Sequence, residues 1–191
     1  MNSPTILTLT RILLIPVLMA ISALNSVETD VIALAVFLLA SLTDWLDGFL
    51  ARKRNQVTIL GKLLDPLADK LLVLSAFLIL LDQDAIWVWV VVLMIGREMT
   101  INGLRAFLAA EQVILAASRL GKWKMTFQVI ALSFLFLHRV HPYFHFVGLF
   151  FMLIALILSY ISGFCYLRKF WQRLGKKILA EQAGSGKSTE S

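Results

Sequence analysis

Long apolar runs separated by short polar breaks dominate the chain. They occupy residues 5–24, 31–50, 63–81, 85–108, 126–137 (extendable back to Lys122) and 144–167. A helix that crosses a bilayer needs about 20 mostly apolar residues. The pattern therefore predicts an all-α integral membrane protein with six transmembrane helices and almost no room for a soluble domain. The first run lacks a charged start and an Ala-x-Ala-like cleavage site, so it reads as a retained first helix. Residues 1–10 are polar for a membrane helix, with Asn2, Pro4, Thr5, Thr8 and Thr10 ahead of Arg11. The expectation there is a short N-terminal interfacial segment, with Arg11 snorkelling to the surface. A membrane domain over 1–171 and a basic, flexible tail over 172–191 follow from the change in composition after Trp171.

Composition strengthens this reading. The chain is 59% hydrophobic with a mean hydropathy of +0.82, against about 45–50% apolar residues in soluble domains. Its one cysteine, Cys165, excludes an internal disulfide and reads as a small core residue.

Charge sets the orientation. The breaks around 26–30 and 81–85 carry Glu28, Asp30, Asp82 and Asp84 without a base, and the break at 138–143 holds Arg139 alone. On the opposite side stand Arg52, Lys53, Arg54, Lys62, Arg105, Arg119, Lys122 and Lys124, followed by the basic tail. The positive-inside rule makes that face cytoplasmic, and six spans put both termini there. In this setting the net charge of +6 speaks for orientation, and no nucleic-acid partner is expected.

Four aspartates break the apolar pattern. Asp44 and Asp47 end the second run, and Asp65 and Asp69 open the third. Spacings of three and four put each pair on one helical face, and a hairpin of the two helices lets the faces meet. Ionisable groups at membrane depth cost about 2.5–3.5 kcal/mol each on insertion scales. Four converging carboxylates must be partly protonated or share cations. Hard oxygen ligands favour Mg²⁺ or Mn²⁺ over zinc. The plainer alternative is helix capping or pairing with Arg52, Arg54 or Lys70, which suits a single aspartate better than two facing pairs. Gly48 and Ala51 follow Asp44 and Asp47 by four residues and leave room for a neighbouring helix or a bulky ligand. Gly61 suits a turn, and Arg52 supplies a guanidinium fit for phosphate oxygens.

The stretch DWLDGFLARKRNQVTILGKLLDPLAD, residues 44–69, fits D-x2-D-G-x2-A-R-x8-G-x3-D-x3-D at every fixed position. It resembles the motif of the CDP-alcohol phosphatidyltransferases, whose six-helix topology is also the one predicted here. The resemblance implies that Asp44, Asp47 and Asp65 bind divalent metal, a pair of ions. Asp69 would touch that centre and act as general base. Asn2, Thr5, Gly48, Ala51, Arg52 and Gly61 would frame the CDP-lipid, and a homodimer is implied.

A second basic cluster bears on the acceptor. Arg97, Glu98 and Arg105 lie in REMTINGLR, and Arg119, Lys122 and Lys124 follow in AASRLGKWK. Converging cations suit an acceptor that carries a phosphate. The alternative is positive-inside anchoring, with Glu98 paired to Arg97 or Arg105. These stretches and the opening N-x-P-T-x-L-T-x-x-R (2–11) are similar to the phosphatidylglycerophosphate synthase branch of the family. That likeness implies that Arg97, Arg105, Lys122 and Lys124 hold the phosphate of glycerol 3-phosphate, with CDP-diacylglycerol as donor. Met125 departs from it, standing where a threonine is expected. A sister enzyme using inositol phosphate is the nearest alternative. A cation channel or transporter is a further one, but it predicts acids spread through membrane depth. The absence of an Arg- and Ser-rich transit peptide points to a bacterial inner (cytoplasmic) membrane, with the active site facing the cytoplasm.

Other signals are weaker. GSGKST near the end lacks the glycine a phosphate-binding loop needs at Glu181. His138, His141 and His145 surround Pro142 on the side away from the acids and read, like Trp87, Trp89 and Trp171, as interfacial residues.

Overall fold

The computed structural model describes the backbone of residues 3–54, 59–110 and 119–187, and side chains within 8–43, 64, 67–109, 121, 123–168 and 170–172. These residues form six helices and no strand: α1 (Ser3–Ser22), α2 (Val27–Arg54), α3 (Ile59–Asp82), α4 (Val88–Ala110), α5 (Arg119–Phe136) and α6 (Pro142–Lys187). The number and order follow the apolar runs. α1 packs on α2 and α3, and α5 on α6, with α4 lying against α6.

Small residues let the helices approach. Ala33, Ala40, Ala68, Ala76, Ala131 and Ala155 are fully buried, and an alanine face brings two helix backbones close. Phe37, Phe77, Leu80, Leu132, Leu135 and Phe136 fill the remaining space, and the Phe37 and Phe136 rings meet at 5.6 Å across α2 and α5. Large apolar side chains such as Leu13, Leu39, Phe146 and Phe164 face outward on several helices. Among the described residues one stretch, Pro142–Gln172, is long and apolar enough to cross a membrane by length and composition, while Thr8–Ser22 and Trp123–Phe136 are shorter apolar helices.

At one end of the bundle, polar groups tie the connections together. Asp30, fully buried at the start of α2, accepts a hydrogen bond from Gln83 Nε2 at 2.8 Å. Arg139, in the turn between α5 and α6, lies 3.6 Å from the other Asp30 oxygen and donates to Asn25 Oδ1 at 3.1 Å. A buried carboxylate without such partners would cost several kcal/mol, so these contacts hold three connections in one register. Ser26 begins α2 as a reciprocal cap: its Oγ accepts from the Thr29 amide at 3.2 Å, and its own amide donates to Thr29 Oγ1 at 3.0 Å. Asn25 takes φ 53° just before it, a conformation asparagine tolerates.

Four expectations change. The separate interfacial segment at the N-terminus is not formed: α1 runs unbroken from Ser3 to Ser22. Proline in the first turn of a helix sacrifices no internal hydrogen bond, so Pro4 starts the helix instead of delaying it. Arg11 does not snorkel. It is only 1% exposed, beside the equally buried Thr8 one turn earlier, because that face of α1 packs against its neighbours. Cys165 is exposed on α6 and not part of the core. Beyond residue 172, α6 continues as helix to Lys187, where the Lys-, Leu-, Ala- and Glu-containing sequence retains good helix formers. The His138 Nδ1 lies 2.9 Å from the Leu135 carbonyl oxygen, and its ring meets that of His145 edge-on.

Two outcomes follow from this packing. A Cβ added at Gly148 would lie 2.7 Å from Leu135 Cγ and 3.1 Å from the Leu135 amide nitrogen. Gly148→Ala should therefore destabilise the α5–α6 contact by about 1–3 kcal/mol, read as a lower unfolding temperature in detergent. Burial, with a contribution from Arg139, lowers the pKa of His138 below its usual 6.5, against the opposing hydrogen bond to Leu135. A depressed histidine pKa favours the neutral form in the folded state, so stability is present above 6.5 and is lost as pH falls through the lower folded value. The unfolding temperature should drop between pH 7.5 and 5.5, roughly the window in which an ordinary histidine titrates, and His138→Gln should flatten that slope.

Candidate active site

α2 and α3 carry the four aspartates. Asp44 and Asp47 stand near the C-terminal end of α2, and Asp65 and Asp69 in the first half of α3. The two helices are joined through residues 55–58, so both acidic segments belong to the same end of a hairpin. The side chains of Asp44, Asp47, Asp65, Gly48, Ala51, Arg52, Gly61, Thr5 and Lys122 lie outside the described residues, as does all of Asn2. Asp69 is described: it is half-buried and lines a cleft between α3, α4 and α5.

The cleft opens to the surface and, with its open mouth counted, encloses about 640 Å³. Each helix contributes polar groups one turn or less apart: Asp69 and Lys70 from α3, Glu98 and Asn102 from α4, Lys124 and Gln128 from α5. The rest of the lining is apolar and includes Phe77, Met94, Met99 and Met125. Met125, the departure noted in the sequence, is thus a wall of this cleft.

Lys124 is buried, and its Nζ donates to Glu98 Oε2. An ammonium removed from water needs such a counter-charge. Arg97 approaches the same Glu98 oxygen at 3.8 Å, but its Nε donates to the Ser159 carbonyl of α6 at 2.8 Å. Arg105 lies over the Tyr166 ring of α6, 5.1 Å from its centroid, a cation–π contact. Around it Ile101, Leu108, Tyr166 and Phe170 form a small core between α4 and α6.

Of the predicted site residues whose side chains are described, Asp69 and Lys124 meet at one cleft, whereas Arg97 and Arg105 engage α6. Glu98 pairs with Arg97, one of the two partners anticipated, and also with Lys124, which was not. Asn102 and Gln128 were missed altogether. Each follows a charged cleft residue by four positions, Glu98 and Lys124 respectively, and a polar pair at that spacing on an apolar helix is a signal for a shared inward face.

Comparison with known proteins agrees with the motif. A family model described as CDP-alcohol phosphatidyltransferase matches residues 1–161. A protein of Bacillus subtilis named CDP-diacylglycerol–glycerol-3-phosphate 3-phosphatidyltransferase is 41% identical over 189 residues, spanning 91% of this chain and 97% of its own. Proteins of the same name from Rickettsia typhi and Haemophilus influenzae are 39% and 38% identical, each over 87% of this chain and over 96% and 92% of their own. With the eight-position motif intact and similarity along nearly its whole length, the chain belongs to the CDP-alcohol phosphatidyltransferase family.

Proposed function

We propose that the chain transfers the phosphatidyl group of CDP-diacylglycerol to glycerol 3-phosphate, forming phosphatidylglycerol phosphate and CMP in phospholipid biosynthesis. The observation that carries this reading is the pairing of Asp69 and Lys124 on one cleft: a carboxylate able to take a proton and a cation able to hold a phosphate. The names of the relatives from three bacterial genera support the same donor and acceptor.

In this reaction the sn-1 hydroxyl oxygen attacks the β-phosphorus of the donor. The new P–O bond forms as the bond to the bridging oxygen breaks, and CMP leaves with that oxygen. Asp69 receives the hydroxyl proton, as a positioned carboxylate can. Lys124 orients the acceptor through its phosphate, with Arg97, Arg105 and Lys122 adding positive charge on that side. Asn2, Thr5, Gly48, Ala51, Arg52 and Gly61 hold the CDP-lipid. Asp44, Asp47 and Asp65, with Asp69 beside them, form an all-carboxylate donor set of the kind hard divalent cations take, a pair of Mg²⁺ or Mn²⁺ ions. Bound there, metal would neutralise the diphosphate and stabilise departing CMP.

The setting is a bacterial inner membrane. Outward-facing leucine and phenylalanine side chains on several helices are what a bundle surrounded by lipid presents. Charge bias along the chain supports six spans, both termini in the cytoplasm and a cytoplasmic active site, where a soluble acceptor meets a membrane-bound donor. A homodimer accords with the family.

Purified protein supplied with Mg²⁺, CDP-diacylglycerol and labelled glycerol 3-phosphate should release CMP and label a lipid product. Chelation should stop the reaction, and Mg²⁺ or Mn²⁺ should restore it. Preference for inositol phosphate or serine would overturn the acceptor assignment. Asp69→Asn should lower kcat by about 10²–10⁴-fold; full activity in that variant would remove it as base. Lys124→Met should raise KM for glycerol 3-phosphate by roughly tenfold or more through the loss of a charge-assisted bond.

A further inference from the structure

Lys124 and Glu98 form a charge pair that lines the cleft. The Lys124 side chain is 7% exposed and that of Glu98 35%, so the carboxylate is the more accessible partner. Arg97 is itself poorly exposed and sits 3.8 Å from the same Glu98 oxygen. Its position is set from behind: Nε donates to the Ser159 carbonyl, and a Cβ at Gly163 would come within 3.3 Å of that nitrogen. Arg97 thus rests in a groove that glycine leaves open on α6. A row of alternating charge, Arg97–Glu98–Lys124, therefore runs from α6 across α4 to α5 and ends at the cleft.

We propose that Glu98 is a resident stand-in for the phosphate of the acceptor. It holds the Lys124 side chain in place at the cleft until an anionic acceptor displaces it. The inference rests on Lys124 binding that phosphate, as read above. A phosphate dianion brings more charge and three strong acceptor oxygens, so it outcompetes one carboxylate oxygen for the ammonium. Once displaced, Glu98 is not stranded, because the tethered Arg97 remains beside it. A neutral alcohol has nothing to offer Lys124 and leaves the pair closed. Glu98 is accordingly a positioning residue that sets selectivity for anionic acceptors and touches no reacting atom.

Steady-state kinetics on the purified full chain, with CDP-diacylglycerol, Mg²⁺ and varied glycerol 3-phosphate, test this in the wild type, Glu98→Gln, Lys124→Met and the double variant. The glutamine oxygen can still accept from Nζ but carries no charge to be displaced. Glu98→Gln should lower KM roughly five- to tenfold with kcat within about twofold. In the Lys124→Met background the same change should leave KM unmoved, since the effect passes through Lys124. A raised or unchanged KM in Glu98→Gln, or an equal effect in both backgrounds, overturns the proposal. If Glu98→Gln fails to fold, Glu98→Asp, which withdraws the carboxylate by one methylene, should lower KM by a smaller factor; a raised or unchanged KM there overturns it equally. A wild type that ignores glycerol 3-phosphate would defeat the acceptor reading itself, whereas a wild type that uses it beside an unresponsive Glu98→Gln defeats only the role of Glu98.

Discussion

A charge lodged between apolar helices is tolerated only when another group answers it, and an isolated one costs several kcal/mol. Both ends of this bundle are organised by that requirement. At one end Asp30 is met by Gln83 and Arg139, and Arg139 reaches on to Asn25. At the other, Lys124 is met by Glu98, with Arg97 behind it. In each case the partners come from different helices or turns, so the contacts fix how far one helix slides along the next. The cleft inherits its shape from that register. Asp69 of α3 and Lys124 of α5 can share it only while the two helices keep their relative height.

Between the two polar ends, buried alanines let the helices approach around a core of phenylalanine and leucine, while other large apolar side chains face outward. Alanines on α2, α3, α5 and α6 are fully buried, while some leucines or phenylalanines on α2, α3 and α6 are exposed. In the lipid setting proposed above, exposure of a leucine would cost nothing, and close packing of backbones would be the chief attraction between helices. Gly148 against Leu135 is the tightest such contact described.

The motif from Asp44 to Asp69 was legible because it depends on local spacing. Separations of three and four place residues on one helical face whatever the rest of the fold does. The six helices were legible for a similar reason, since run length and polar breaks are local properties. The basic cluster was only partly legible. Arg97, Arg105 and Lys124 are all cationic and all near the same end, yet Lys124 faces the cleft while Arg97 and Arg105 turn to Ser159 and Tyr166 on α6. Arg11 misled for the converse reason: its position near a helix start resembles that of a snorkelling residue, but its face of α1 is covered by other helices.

The sequence alone determined which segments are helical, where the four acids stand along those helices and to which family the chain is akin. A residue's angular position about its own helix axis follows from periodicity. Which neighbour that face meets does not, because the rotation of each helix and its height in the bundle are settled by all the packed surfaces together. Only the tertiary structure could therefore set Glu98 between Arg97 and Lys124, bury Arg11, and bring α3, α4 and α5 together around a single cleft.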